Sequence, residues 1–148
     1  MRILLVHADH FEYEVNKEAI DEPEKISPDQ KKGSEEEVLV VFSTAEKTDR
    51  EDVELVIEKT ADVVEETGRS VHTKNILIYP YAHLSSDLAD PKLALDVLRK
   101  VTNELEKRGL NVKRSPFGWY KSFKMNAKGH PLSELSRTIT PSKHRKLS

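Results

Sequence analysis

Two nearly uninterrupted apolar runs constrain this chain more than any other feature: "EVLVVFSTAE" at residues 37–46 and "NILIYPYA" at residues 75–82. A strand with one wet face alternates apolar and polar residues, whereas a strand that does not alternate must be covered on both faces. Each run therefore needs a second layer, and each is followed by a segment of helical period. Val53, Ile57, Ala61 and Val64 recur at that spacing after the first run, and Ala94, Leu98, Val101 and Leu105 after the second. Thr48 with Glu51 has the spacing of a capping box, and Gly68 closes the first segment. Asp90 before Pro91 opens the second, which Gly109 ends.

The remaining segments read as extended. "RILLVHAD" and "FEYEV" are expected to form an opening hairpin around Asp9 and His10. Residues 16–35, with two prolines and many charges, are expected to make a long exposed connection. "NVKRSPFGW", "KSFKMNA" and "LSELSRTI" supply three further strands, joined at Gly118 and at the "KGHP" turn. The expected order is β-β-β-α-β-α-β-β-β, an α/β domain with a mixed, curved sheet and two main helices outside. No GxGxxG follows a strand and no GxxxxGK[ST] is present, which argues against dinucleotide and P-loop folds. At 148 residues the chain suits one domain, and its short apolar start at "MRILLVHADH" suits a first strand rather than a membrane span.

Composition removes several chemistries. With no cysteine there is no disulfide, thiolate nucleophile or cysteine-bound zinc. A net charge of -2 announces no nucleic-acid partner, although lysine and arginine are denser after residue 99. Among six histidines, His7 and His10 flank Asp9, but their spacing along extended chain turns the rings to different faces, so no shared metal is expected. Ser85, Ser86 and Ser136 leave a Ser-His-Asp arrangement open, without a GxSxG elbow to support it. "SPFGWYKSFK" mixes Phe117, Trp119, Tyr120 and Phe123 with Lys121 and Lys124, which suits base stacking and an oxyanion. From spacing alone it suits a half-buried strand better. His83 alone reads as a hydrogen-bonded structural histidine, Glu134 as a solvated strand residue, and Lys121 as half-exposed.

Taken in order, "HADHFEYEV", "YPYAHLSSDLA", "PFGWYKSFK" and "KGHPLSELSRTI" resemble the N-terminal editing domain of archaeal threonyl-tRNA synthetase, a relative of D-aminoacyl-tRNA deacylase. The resemblance covers residues 1–140 as an editing domain and leaves 141–148 as a tail or linker. It implies a homodimeric, cytoplasmic protein of the D-aminoacyl-tRNA deacylase-like fold. It also implies hydrolysis of L-serine mischarged on threonine tRNA, without metal or other cofactor. Its partners would be the acceptor end of that tRNA and the remaining synthetase domains, in cis or in trans, with no membrane involved. The resemblance gives Lys121 the developing charge or the water, and gives His83 the water and the serine side chain. Tyr120 and Glu134 would fix the seryl group and the ribose, while Ala45, Pro80, Ala82 and Phe117 would line the adenosine pocket. The neighbouring 2'-hydroxyl of the terminal adenosine would share the catalysis.

Asn126 and Ala127 depart from the family's Ser-Cys, and Trp119 replaces another aromatic. None of these positions carries one of the implied roles. A non-catalytic module that binds aminoacyl ends or docks on a synthetase is the alternative of a different class.

Overall fold

A computed structural model describes residues 1–142. Strands β1 (Arg2–Glu18) and β2 (Lys32–Thr44) are followed by helix α1 (Val53–Ser70), strand β3 (Asn75–Pro80) and helix α2 (Pro91–Lys107). Strands β4 (Asn111–Arg114), β5 (Trp119–Ala127) and β6 (Glu134–Thr138) complete the chain. The sheet has six strands in the order β4-β3-β2-β1-β5, with β6 also on β1. β2–β3 and β3–β4 run parallel, and all pairs made by β1 are antiparallel, so the sheet is mixed as expected.

The two apolar runs are β2 and β3, and both are inside. Ile3, Leu5, Leu39, Val41, Ile76 and Ile78 meet Val56, Ala61, Val64, Val97, Leu98, Val101 and Leu105 of the helices. The alternate residues Val6, Val38, Val40, Phe42, Leu77 and Tyr79 form a second core with Phe11. Tyr79 is its hub, edge-on to Phe11, Phe42 and Phe123 with ring centroids 5.3, 5.4 and 5.7 Å away. Strand β5 supplies Phe123, which stacks on Phe11 with ring centroids 5.3 Å apart and borders this second core.

The opening hairpin is a correction. Residues 2–18 form one strand of 17 residues, and the order is β-β-α-β-α-β-β-β. Polar Asp9 and His10 do not turn the chain because β1 is paired on both edges. β2 holds one edge through residues 2–14, while β6 and β5 share the other end to end. The polar break is absorbed as a register shift against β5 between Ala8 and His10. The exposed connection is correspondingly shorter, and Trp119 opens β5 rather than closing β4.

The capping box also moves. Thr48 and Glu51 lie in a 3-10 turn, Lys47–Glu51, and the cap of α1 is Asp52, whose carboxylate accepts the Leu55 amide at 3.2 Å. Asp90 caps α2 as expected, accepting the Leu93 amide at 3.0 Å. Gly68 does not end α1, which continues to Ser70; a Cβ there would stand 2.9 Å from the Thr73 carbonyl oxygen, so its packing role is to let that loop close. The Met1 ammonium is buried, donating to Asp49 at 2.7 Å and to the Ile139 carbonyl at 3.1 Å. Among the described residues no helix is long and apolar enough to cross a membrane.

Candidate active site at the ends of the parallel strands

β2 and β3 end together, and the segments leaving them diverge around a cavity of about 410 Å³. The carboxyl ends of parallel strands, where chain paths separate, are where open α/β sheets form their binding crevices. Ser43, Thr44 and Ala45 leave β2 on one wall, and Tyr79 to His83 leave β3 beside them. The first turns of α2 and the loop from Phe117 into β5 close the remaining sides. Two other hollows, beside Tyr13 and Gly33, contain none of the site residues nominated from the sequence.

Hydrogen bonds fix the wall that carries His83. The Tyr81 amide donates to the Ser43 carbonyl at 2.9 Å, and the Thr44 hydroxyl donates to the Tyr81 carbonyl. Farther along, the Ala89 amide donates to the Ala45 carbonyl at 3.0 Å, and Ser85 Oγ donates to Glu46 at 2.6 Å. Ser85 is therefore a tether between the two walls rather than a free nucleophile. The His83 ring meets Tyr81 edge-on with centroids 5.1 Å apart. Among the described residues no side chain or carbonyl holds its nitrogens, so the hydrogen-bonded structural histidine is not what is found.

Lys121 enters from β5. Its Nζ donates to Ser115 Oγ at 3.2 Å and to the Pro116 carbonyl, and lies 4.7 Å from the centroid of the Tyr79 ring. Burial lowers its pKa to about 7, with the Arg114 charge adding and the Glu24 charge opposing. The half-exposed lysine is corrected accordingly: this amine is largely enclosed, and removing it from water is what makes it titrate near neutrality. Burial likewise raises the Tyr79 hydroxyl, helped by Tyr13 and Tyr81, so Tyr79 stays neutral. With two acceptors and its own carbon in place, one position of the tetrahedral nitrogen is left for water or a ligand. It presents an N–H as ammonium and a lone pair as amine.

Seven of the eight nominated residues line this cavity: Ala45, Pro80, Ala82, His83, Phe117, Tyr120 and Lys121. Tyr120 sits at the mouth, 52% exposed, with the Lys17 ammonium 5.8 Å from its ring. Glu134 is not among them. It pairs with Val6 on β1, whereas Lys121 pairs with Val15, about 30 Å of extended chain away along the same strand. Sequence reasoning missed the acceptors Ser115 and Pro116 and the ring of Tyr79, for different reasons. Tyr79 was visible as a strand residue, but nothing local marks which side chain it will meet 42 positions later.

The histidines near the N-terminus lie elsewhere. His7 is buried, hydrogen-bonded to His130 at 2.9 Å and to Glu37 at 3.0 Å, while His10 pairs with Glu36 and with Glu12 at 3.1 Å. Because His130 Nδ1 accepts the Leu132 amide at 3.1 Å, its proton is on Nε2, directed to His7. Among the described residues no group of three or more histidines and carboxylates is arranged to hold a metal.

Comparison with known proteins adds sequence evidence to this geometry. Residues 1–139 match the family model described as the archaea-specific editing domain of threonyl-tRNA synthetase. The chain is 51% identical over 146 residues to a threonine–tRNA ligase of Thermococcus sibiricus, covering 99% of this chain and 23% of that one. It is 53% identical over 142 residues to the threonine–tRNA ligase of Thermococcus onnurineus (96% and 23%). That of Methanoregula boonei is 50% identical over 142 residues (95% and 22%). The chain thus spans less than a quarter of the length of these relatives. A solved structure described as c-Myc DNA unwinding element binding protein superposes with a TM-score of 0.60 at 12% identity, covering 93% of this chain and 98% of that one. At such identity the likeness concerns the fold alone, which is the D-aminoacyl-tRNA deacylase-like one expected from the sequence.

Proposed function

Because this chain belongs to the family of archaea-specific editing domains of threonyl-tRNA synthetase, we propose that it hydrolyses the ester of L-serine wrongly attached to threonine tRNA. The observation that carries the reading is the seat of Lys121: an enclosed amine with one open position, in a cavity shared with His83 and Tyr120. Serine lacks one methyl of threonine, and a synthetic site built for the larger side chain rejects the smaller by only about 1–3 kcal/mol. A second site that removes the error multiplies two modest selectivities.

The substrate needs little from the protein. Water adds to the ester carbonyl, the bond to the terminal ribose oxygen breaks, and free serine and uncharged tRNA leave. In this reading Lys121 supports the charge that develops on the carbonyl oxygen or holds the attacking water. His83, whose nitrogens have no hydrogen-bond partner among the described residues, orients that water beside the 2'-hydroxyl and senses the serine side chain. Tyr120 fixes the seryl group, and Ala45, Pro80, Ala82 and Phe117 receive the adenosine. Glu134 lies outside the cavity of its own chain, so its part in holding the ribose requires a second copy, in keeping with a homodimer. The editing unit would occupy residues 1–140 and work in the cytoplasm, beside the rest of the synthetase in cis or in trans, without a metal.

The test is deacylation of serine and threonine esters of the same tRNA, side by side. Serine is expected to be released while threonine stays, and a terminal 2'-deoxyadenosine is expected to stop release. Full activity on the deoxy substrate would remove the RNA hydroxyl from the mechanism. Binding of seryl-adenosine analogues with no hydrolysis over many equivalents would leave only a recognition module.

A further inference from the structure

The segment between β1 and β2, residues 19–31, is bound to the loop that seats Lys121. The Glu24 carboxylate accepts a two-pronged pair from Arg114, Nη1 to Oε1 at 2.7 Å and Nη2 to Oε2 at 2.6 Å. It also accepts the Phe117 amide at 3.0 Å, and Arg99 stands 3.5 Å away. Its backbone is engaged as well: the Glu24 amide donates to the Phe117 carbonyl at 3.0 Å, and the Glu24 carbonyl accepts Trp119 Nε1 at 2.8 Å. The Ala19 amide donates to the Gly118 carbonyl at 2.9 Å. One acidic residue thus gathers Arg114, Phe117 and Trp119, which bracket Ser115 and Pro116, the two acceptors of Lys121 Nζ. The side chains of Glu24 and Arg114 are only 11% and 14% exposed, so the pair is shielded from salt and water.

We propose that Glu24 is a positioning residue for Lys121, holding the 115–118 loop in the shape that seats the amine and balancing the Arg114 charge beside it. The proposal rests on the reading of Lys121 as the group that serves the ester. A clamp of this kind is useful because the loop offers Lys121 a neutral hydroxyl and a carbonyl, neither of which offsets a cation. Arg114 is close enough to lower the Lys121 pKa, and Glu24 opposes it. Burial pushes the Glu24 carboxyl up, but hydrogen bonds from Arg114 and the Phe117 amide and the charges of Arg114 and Arg99 outweigh it and hold the carboxyl below its usual range. Glu24 is therefore ionised wherever Lys121 titrates.

The experiment is a pH titration of the Lys121 ε-carbon by NMR, with Lys121→Met identifying the signal, in the full chain and in Glu24→Gln. Removing the carboxylate charge while keeping its shape is expected to shift the Lys121 midpoint to lower pH, whereas a purely structural contact would leave it in place. In the same variant kcat for seryl-tRNA is expected to fall about tenfold or more with KM nearly unchanged. Should Glu24→Gln not fold, the unaltered protein still decides. Protonation of Glu24 at acid pH is expected to move the Phe117 amide and Lys121 ε-carbon signals with one shared midpoint. An unmoved Lys121 midpoint in folded Glu24→Gln, or no shared acid midpoint in the unaltered protein, overturns the proposal. Failure of the unaltered protein to release serine would instead overturn the deacylase reading, since the titrations need no substrate.

Discussion

Lys121 concentrates the physical conflict of this molecule at one residue. A lysine enclosed against Tyr79, with neutral acceptors and Arg114 nearby, costs stability when charged, and under the proposed deacylase reading its use is that it is held ready to change charge. Lys121→Met should therefore lower seryl-tRNA hydrolysis by roughly 10²-fold or more while leaving the melting temperature unchanged or higher. The sign with pH follows from proton counting. Between pH about 7 and the ordinary lysine value near 10.5 the unfolded chain binds one more proton than the folded chain at this site, so stability rises with pH there. The penalty is complete below that window and is relieved across it. Urea unfolding of both proteins at pH 6 and pH 9 should show Lys121→Met ahead at pH 6 and the gap narrowed at pH 9.

At the scale of elements, the cavity depends on how the strap 19–31 lies over the start of β5. Gly118 has φ +86, and a Cβ there would stand 2.9 Å from both Ile20 Cδ1 and the Pro23 Cα. Gly118→Ala should thus cost about 1–3 kcal/mol and lift the strap that carries Glu24. Thermal denaturation and the loss of Phe117 amide protection in hydrogen exchange check both parts. The existence and buried faces of α1, α2, β2 and β3 were legible in the sequence because periodicity reports burial directly, whereas several of their ends were not. The continuity of β1 was not, since Asp9 and His10 look like a turn until partners appear on both edges. Nor did local signals separate Thr48 from Asp52 as the cap of α1. Both stand before a helical run, and the Glu46–Asp49 pairing that makes a separate turn is set by the contacts of Met1.

The molecule as a whole is closed by contacts distant in sequence. The Met1 ammonium and Asp49 are both fully buried, and the Ile139 carbonyl joins them, tying the start of β1 to the turn before α1 and to the end of β6. Asp49→Asn leaves the buried ammonium with only the Glu46 carboxylate, 3.4 Å away, as counter-charge and should cost up to about 3–5 kcal/mol, measured by urea denaturation at neutral pH. Nominated side chains could be read from motif order, and seven of them meet in one cavity because the ends of β2 and β3 bring residues 45 and 80–83 beside 117–121. Glu134 does not join them, because β6 uses the half of the β1 edge that β5 leaves free. By itself the sequence determined which segments are buried, where two helices cover a sheet, and which family supplies the pattern, since these follow from side-chain identity and spacing. Only the tertiary structure decided that β1 runs unbroken, that Glu134 stands apart, and that Glu24 and Arg114 meet across 90 positions beside Lys121. Strand pairing and desolvation are properties of neighbours in space, and no local period records them.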